Sequence, residues 1–428
     1  MARSGRLKEE LPARRATVRI ETIGAQGDGV GRTQDGETVF APLTAPGDIA
    51  IMELRGERAR LLEFVEKSAV RADPPCRHFG ECGGCALQHV TALEQARWKA
   101  AQVIEALDRE RITAERVNPV LTMPAASRRR AVFAARRENG ALRFGFNVRR
   151  SGRVIAIADC KVLAPALAAR LDALRALAAS VSLPEFDVAA IACENGLDVN
   201  LIAAKLTPQV MLEQRNLASR LWESGIARLS INGEPVMTLS SPIVSFGGVA
   251  VTPPPGAFLQ ASHEGEAALL ALVKSATAGA RKIADLFSGC GAFALPLARA
   301  ASVSAFDSDR PAIEALKRAA AIAQGGASAL NPVRADLRDL FERPLSVKEL
   351  KPFDAVIFDP PRAGSGAQAA EIAKSGVPHV VGVSCNPQTF ARDASLLVAG
   401  GYRLLEVTPV DQFVYSPHIE LAGVFTKR

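Results

Sequence analysis

Two rhythms of apolar residues divide the chain. From about Lys282 onward, short apolar runs alternate with stretches of helical period. Lys282-Ile-Ala-Asp285-Leu-Phe, Val303-Ser-Ala-Phe-Asp307, a third strand ending at Asp336, Phe353-Asp-Ala-Val-Ile-Phe-Asp359 and His379-Val-Val-Gly-Val-Ser384 read as buried strands with helices between them. That alternation predicts a doubly wound α/β domain. The N-terminal part differs. Between about residues 14 and 70, Ala-Thr-Val-Arg-Ile-Glu, Glu-Thr-Val-Phe-Ala and Asp-Ile-Ala-Ile-Met-Glu-Leu are separated by Gly, Asp and Pro turns, a spacing that suits a small β-barrel. Between these regions lie an Ala- and Leu-rich helix expected over Leu163 to Ala179 and mixed strands at Val188 to Cys193 and Leu197 to Ala203. Pro253-Pro254-Pro255-Gly256 is the clearest break, and neither an internal repeat nor a low-complexity tract is present.

Composition narrows the class. With 428 residues, 48% apolar and 23% charged, the chain is folded and holds two or three domains at a prior of ~150 residues each. No apolar run reaches the ~18 residues of a membrane span, and Met-Ala-Arg-Ser-Gly-Arg-Leu lacks the apolar core of a secretory signal, so a cytoplasmic protein with no membrane partner is expected. The net charge of +7 is uneven: ten arginines between Arg116 and Arg153 face a single acid, Glu138. Much of that stretch reads as a hairpin about Asn139-Gly140, either a basic solvated face or, preferably, a surface for a phosphate backbone. Gly27-Asp28-Gly29-Val30-Gly31-Arg32 resembles a dinucleotide loop but no helix follows, so it is a strand-turn feature.

Seven cysteines are too few for a disulfide scaffold. Cys76, Cys82 and Cys85 fall within ten residues, and Cys160 beyond the hairpin could complete a four-thiolate set for zinc or an iron–sulfur cluster. Cys160 has no near partner, which favours a [4Fe–4S] cluster over zinc; His78 reads as a supporting residue. In the α/β region, Phe287-Ser288-Gly289-Cys290-Gly291 follows the first strand, and Asp307 and Asp336 end the next two, a pattern that favours an adenosine-containing cofactor. Asp359 runs into Pro360-Pro361-Arg362. Cys385 stands between a strand end and a helix N-terminus, where a thiol pKa can fall, and is either a nucleophile or an ordinary buried cysteine. His418 and Glu420 supply an acid/base pair or the capped end of a loop.

Taken in order, Cys-x5-Cys-x2-Cys, Gly256-Ala-Phe-Leu-Gln260, Asp285-Leu-Phe-Ser-Gly-Cys-Gly, Phe358-Asp-Pro-Pro-Arg-Ala-Gly, Val383-Ser-Cys-Asn-Pro and His418-Ile-Glu420 resemble the S-adenosylmethionine-dependent RNA uracil-5 methyltransferases, in particular the rRNA-acting branch with an iron–sulfur cluster and a TRAM domain. The resemblance spans essentially the whole chain. It implies an OB-like TRAM barrel over residues 1–70, a central α+β domain over 71–246 holding the cluster on Cys76, Cys82, Cys85 and Cys160, and a Rossmann-like methyltransferase domain over 247–428. A helix at about 91–112 is expected to pack with the last of these. Cofactor contacts fall on Gln260, Phe287, Asp307, Asp336 and Asp359, the nucleophile on Cys385 and the general base on Glu420. Ser288, Ser262, Ala292 and Phe413-Val-Tyr-Ser depart from the family's usual residues. The expected reaction is C5 methylation of a uridine in RNA, 23S rRNA before tRNA, by a monomer with no protein partner. Amino-group and cytosine-5 methyltransferases fit the Cys385 and Arg362 motifs less well, and a silent iron–sulfur RNA-binding or redox protein would leave Cys385 without a use.

Overall fold

The computed structural model describes residues 12–206, 224–325 and 330–427. Internal contacts divide the chain into two units, one running to Trp98 and including Tyr415–Pro417, the other formed by Lys99–Val414 and the chain from His418. Among the described residues no helix is long and apolar enough to cross a membrane.

In the first unit, five strands close into a barrel: Arg14–Ile23, Gly29–Arg32, Thr38–Ala41, Arg58–Glu66 and Ile49–Arg55, in that order around it. Alternation sends Val18 and Ile20 inward with Val39, Ala50 and Met52. A bulge between Ile20 and Thr22 then shifts the register by one, which brings Ile23 to the same buried face as Ile20. Ile23 joins a second apolar cluster with Leu87, Val90 and Trp98, where the indole Nε1 donates to the Ile23 carbonyl at 2.6 Å. The Gly-rich run at 27–32 is the turn and strand expected of it, with Gly27 at φ +80°.

The described residues of the second unit form two large sheets and a two-stranded pair, Val244–Phe246 with Val249–Val251. Of the large sheets, the smaller is ordered Val154–Ala156, Ala141–Asn147, Arg130–Glu138, Glu185–Cys193, Gly196–Ile202, Ile226–Ile231, Glu234–Thr238. Its first hairpin turns at Asn139 and Gly140, both at positive φ, as the sequence implied. The helix expected over Leu163 to Ala179 is in fact two, Pro165–Ala168 and Leu171–Ala179. Leu163 is held in a bridge to Arg128, Pro165 then starts the first turn, and Arg170 at φ −111° breaks the helix before Leu171, Leu174 and Leu177 resume the apolar face.

The larger sheet is ordered Val333–Leu337, Ser302–Asp307, Lys282–Leu286, Ala355–Phe358, His379–Ser384, Glu420–Thr426, Arg403–Asp411, with the short Arg116–Val117 and Leu121–Thr122 at its edge. The first five strands are parallel and Glu420–Thr426 inserts antiparallel, which makes this the Rossmann-like α/β fold expected. Gly382 and Gly423 face each other across that insertion. A Cβ on Gly423 would lie 2.3 Å from the Phe390 ring and one on Gly382 2.8 Å from Phe358, so the two glycines make room for aromatic rings that seal the sheet. The helix Ala92–Arg109 contributes Val103, Ala106 and Leu107 to the same apolar core as Ala284, Val356 and Val407.

Candidate active site

A cavity of about 470 Å³ opens at the carboxyl edge of the parallel strands. On one side the strand Lys282–Leu286 ends in Phe287, a non-glycine residue at φ +62°, followed by Gly289 and Gly291, also at positive φ. This strained turn folds the backbone against Asp307. Asp307 Oδ2 accepts from the Gly289 N–H and Oδ1 from the Asp309 N–H, each at 2.8 Å. Each oxygen keeps a second lone pair, so the carboxylate can accept two further donors. Phe287 and Phe341 form an aromatic wall, their rings 5.5 Å apart.

The other side holds Cys385, Glu420, Asp359 and Gln260. Ser384 pairs with Leu421 in the antiparallel register, so the next positions outward, Cys385 and Glu420, stand side by side at the sheet's edge. Asn386 caps the helix Pro387–Ala399 and also donates to the Arg362 carbonyl at 3.1 Å, fixing the Cys385 loop to the Pro-Pro-Arg turn. Gln260 Nε2 donates to Asp359 Oδ2 at 3.2 Å. Ser262, one of the family departures, caps the helix His263–Ala276 through the Gly265 N–H.

Electrostatics here run against one expectation. The helix N-terminus was expected to lower the Cys385 pKa. Burial, with the carboxylates of Glu420 and Asp359 next to it, instead pushes the thiol up to about 11, and Arg362 only partly opposes this. Burial also raises Asp359 to about 7 and holds Glu420 well above the usual carboxylate range, the Asp359 charge adding to it. His418, beside Arg362 at 3.3 Å, is pushed down by burial and that cation. These shifts favour the protonated form of Cys385 and the neutral forms of Asp359 and Glu420.

Other expected residues are placed elsewhere. Asp336 pairs with Arg334 Nε at 2.7 Å and lines a separate cavity of about 460 Å³ with Phe306 and Arg338. Cys76, Cys82, Cys85 and Cys160 are half-buried, and Cys82 Sγ accepts from the Gly84 N–H at 3.5 Å. Among the described residues no three His, Cys, Asp or Glu side chains are gathered as a metal site. Cys193 and Cys290 are pushed to about 12 by burial, which makes them inert thiols.

Five arginines of the arginine-rich stretch have partners within the fold. Arg116 pairs with Glu406, Arg129 with Glu266, Arg136 with Asp187 and Arg143 with Glu138, while Arg137 donates to the carbonyls of Ala179 and Val181. These partners, apart from Glu138, are remote in sequence, so the charge count overstated what remains for an external polyanion. Arg130 lies in the cavity instead, 4.5 Å above the exposed Phe258 ring. Neither Arg130 nor Gln412 carried a role in the sequence reading. Arg130 was one arginine of a run, and Gln412 one residue of a loop.

The family model described as tRNA (Uracil-5-)-methyltransferase matches residues 254–428. An uncharacterised RNA methyltransferase of Caulobacter vibrioides is 44% identical over 415 residues, 95% of this chain and 99% of that protein. The 23S rRNA (uracil(1939)-C(5))-methyltransferase RlmD of Halomonas elongata is 31% identical over 437 aligned residues, covering 94% of this chain and 87% of RlmD. This chain belongs to the RNA (uracil-5-)-methyltransferase family. The methyltransferase shares its fold with the Pyrococcus abyssi tRNA (uracil-54, C5)-methyltransferase crystallised with S-adenosyl-L-homocysteine, at a TM-score of 0.73 and 23% identity over 96% of this chain and 99% of that one.

Proposed function

We propose that the protein methylates C5 of a uridine in RNA, with S-adenosylmethionine as methyl donor and a transient covalent bond from Cys385 to the base. The observation that carries this reading is the pairing of Cys385 and Glu420 at adjacent strand ends in the cavity that Asp307, Phe287 and Gln260 also line. Uracil C5 is too weak a nucleophile to take a methyl group unaided. Addition of the Cys385 sulfur to C6 makes C5 nucleophilic, and Glu420 takes the C5 proton after alkylation so that Cys385 can leave. Dividing one hard substitution in this way needs the thiolate.

The donor fits the cavity. Asp307 has acceptor capacity for ribose hydroxyls, the positive-φ turn at Phe287–Gly291 admits close backbone approach, and Phe287 with Phe341 offers ring faces to a purine. Asp359 and Gln260 face the opposite wall. S-adenosylmethionine, when bound, supplies an electrophilic methyl group on a positively charged sulfonium. A positive charge held in this cavity would favour the ionised forms of Cys385, Glu420 and Asp359, opposing the burial that raises the thiol. Asp336, paired with Arg334 through Oδ2 alone, keeps Oδ1 to accept from a cofactor hydroxyl.

For the RNA, the RlmD relative supports an rRNA target, with tRNA as the alternative. The target base must leave its stack, which costs least in a loop. The barrel is read as a TRAM-type RNA-binding module. The thiols of Cys76, Cys82 and Cys85, spaced within ten residues, with Cys160, suit a [4Fe–4S] cluster by donor chemistry, and the Gly84 N–H on Cys82 is the kind of contact that stabilises ligating sulfur. Incubation with methyl-labelled S-adenosylmethionine and separate 23S rRNA and tRNA pools tests the reading. Label in 5-methyluridine supports it, the labelled pool names the RNA class, and label in another nucleoside or in none overturns it.

A further inference from the structure

A chain of amides runs behind the cavity, and one backbone donor sets its direction. The Ala261 N–H donates to Gln412 Oε1 at 2.9 Å. A backbone N–H can only donate, so that atom of Gln412 must be the carbonyl oxygen and the other end must be the NH₂ group. Gln412 Nε2 then donates to Gln260 Oε1 at 2.7 Å, which fixes the second amide as well and leaves Gln260 Nε2 to donate to Asp359 Oδ2 at 3.2 Å. Gln412 also stands next to Glu420 and favours its ionised form. Gln260, Gln412 and Glu420 are all buried, and Gly265 packs so closely on Gln412 that a Cβ there would come within 2.7 Å of the Gln412 Cβ. The backbone donor of Ala261, rather than space, fixes the orientation of both amides.

We infer that Gln412 is a positioning residue that locks the Gln260 amide toward Asp359, so that one side chain outside the reacting groups sets which donor the cavity presents to that carboxyl. The inference rests on the proposed role of Glu420 as base. The groups that face Glu420 are Asp359 after the strand Ala355–Phe358, Arg362 in the Pro-Pro-Arg turn, Arg130 from the smaller sheet, the neighbouring Cys385 and Gln412 itself. Of these, Asp359 and Cys385 oppose ionisation when charged, while the arginines and Gln412 favour it. Burial outweighs all of them. Removing the Gln412 donor therefore raises the proton affinity of Glu420 further, and frees Gln260 to turn away from Asp359.

The test is the pH profile of kcat/KM for the full-length enzyme with Gln412→Met and Gln412→Glu. Methionine keeps the volume and loses the hydrogen bonds; glutamate keeps an acceptor for Ala261 and adds a third carboxyl. The acidic limb should move up by about one pH unit in Gln412→Met and further in Gln412→Glu, roughly a tenfold loss or more below the limb that shrinks at high pH. Binding of S-adenosylhomocysteine, measured by calorimetry, should weaken as Gln260 is released. A uniform fall in rate with an unmoved limb, or no change, overturns the inference. If Gln412→Met does not fold, as judged by circular dichroism, Gln412→Glu decides. Glu420→Gln separates the two claims: turnover retained in that variant removes the base and this inference together, whereas lost turnover with an unmoved limb in the Gln412 variants removes only the inference.

Discussion

Arg129 and Glu266 form an ion pair inside the larger unit, with the arginine side chain 2% exposed and the glutamate 9%. Arg129 also donates to the Gln260 carbonyl at 2.9 Å and contacts His263 Nδ1 at 3.2 Å. One guanidinium thus ties the smaller sheet to the segment that delivers Gln260 to the cavity. Breaking a buried pair from one side leaves an uncompensated charge, so Arg129→Met should cost about 3–5 kcal/mol in urea unfolding. Lysine cannot reproduce the fork that reaches three partners, so Arg129→Lys should recover little. A loss below about 1 kcal/mol in Arg129→Met would contradict this role.

This pair also shows where sequence reading stops. The parallel strands were legible because burial on both faces demands apolar runs such as Ala355–Phe358, and the turn at Asn139-Gly140 because few other residues accept positive φ there. The fate of the arginines was not legible. Glu266, Asp187 and Glu406 lie far from their partners in sequence, and only the folded chain brings them together. The same holds for Cys385: the helix N-terminus next to it is a local signal, but the burial and the carboxylates that outweigh it come from other strands. Leu163 to Ala179 misled because composition favours a helix throughout while the bridge to Arg128 claims its first residue.

Asp359 gives stability a pH dependence. Its pKa, ordinarily 3.8, rises to about 7 on folding, so the fold favours the neutral acid. The resulting stabilisation is complete below about pH 4 and is lost as pH rises through 7, by up to about 4 kcal/mol for a shift of this size. Asp359→Asn, neutral at every pH, should flatten the fall in urea midpoint between pH 5 and pH 8 in the cofactor-free protein. A wild-type midpoint that rises over that range, or an Asn variant with the same slope as wild type, would count against the assignment.

The cysteine reading has its own measurement. Protein purified without oxygen should carry about four iron atoms and four sulfides per chain, and Cys82→Ser should lower both. Stoichiometric zinc, or neither metal, would return Cys76, Cys82, Cys85 and Cys160 to ordinary thiols.

The covalent role of Cys385 is the central claim, and RNA containing 5-fluorouridine tests it most directly. Fluorine at C5 leaves Glu420 no proton to remove, so the bond from Cys385 to C6 cannot be resolved after methyl transfer. With S-adenosylmethionine present, a protein–RNA band resistant to denaturation should accumulate in wild type and be absent from Cys385→Ala. No such band in an enzyme that methylates ordinary RNA, or a band that persists in Cys385→Ala, would contradict the account.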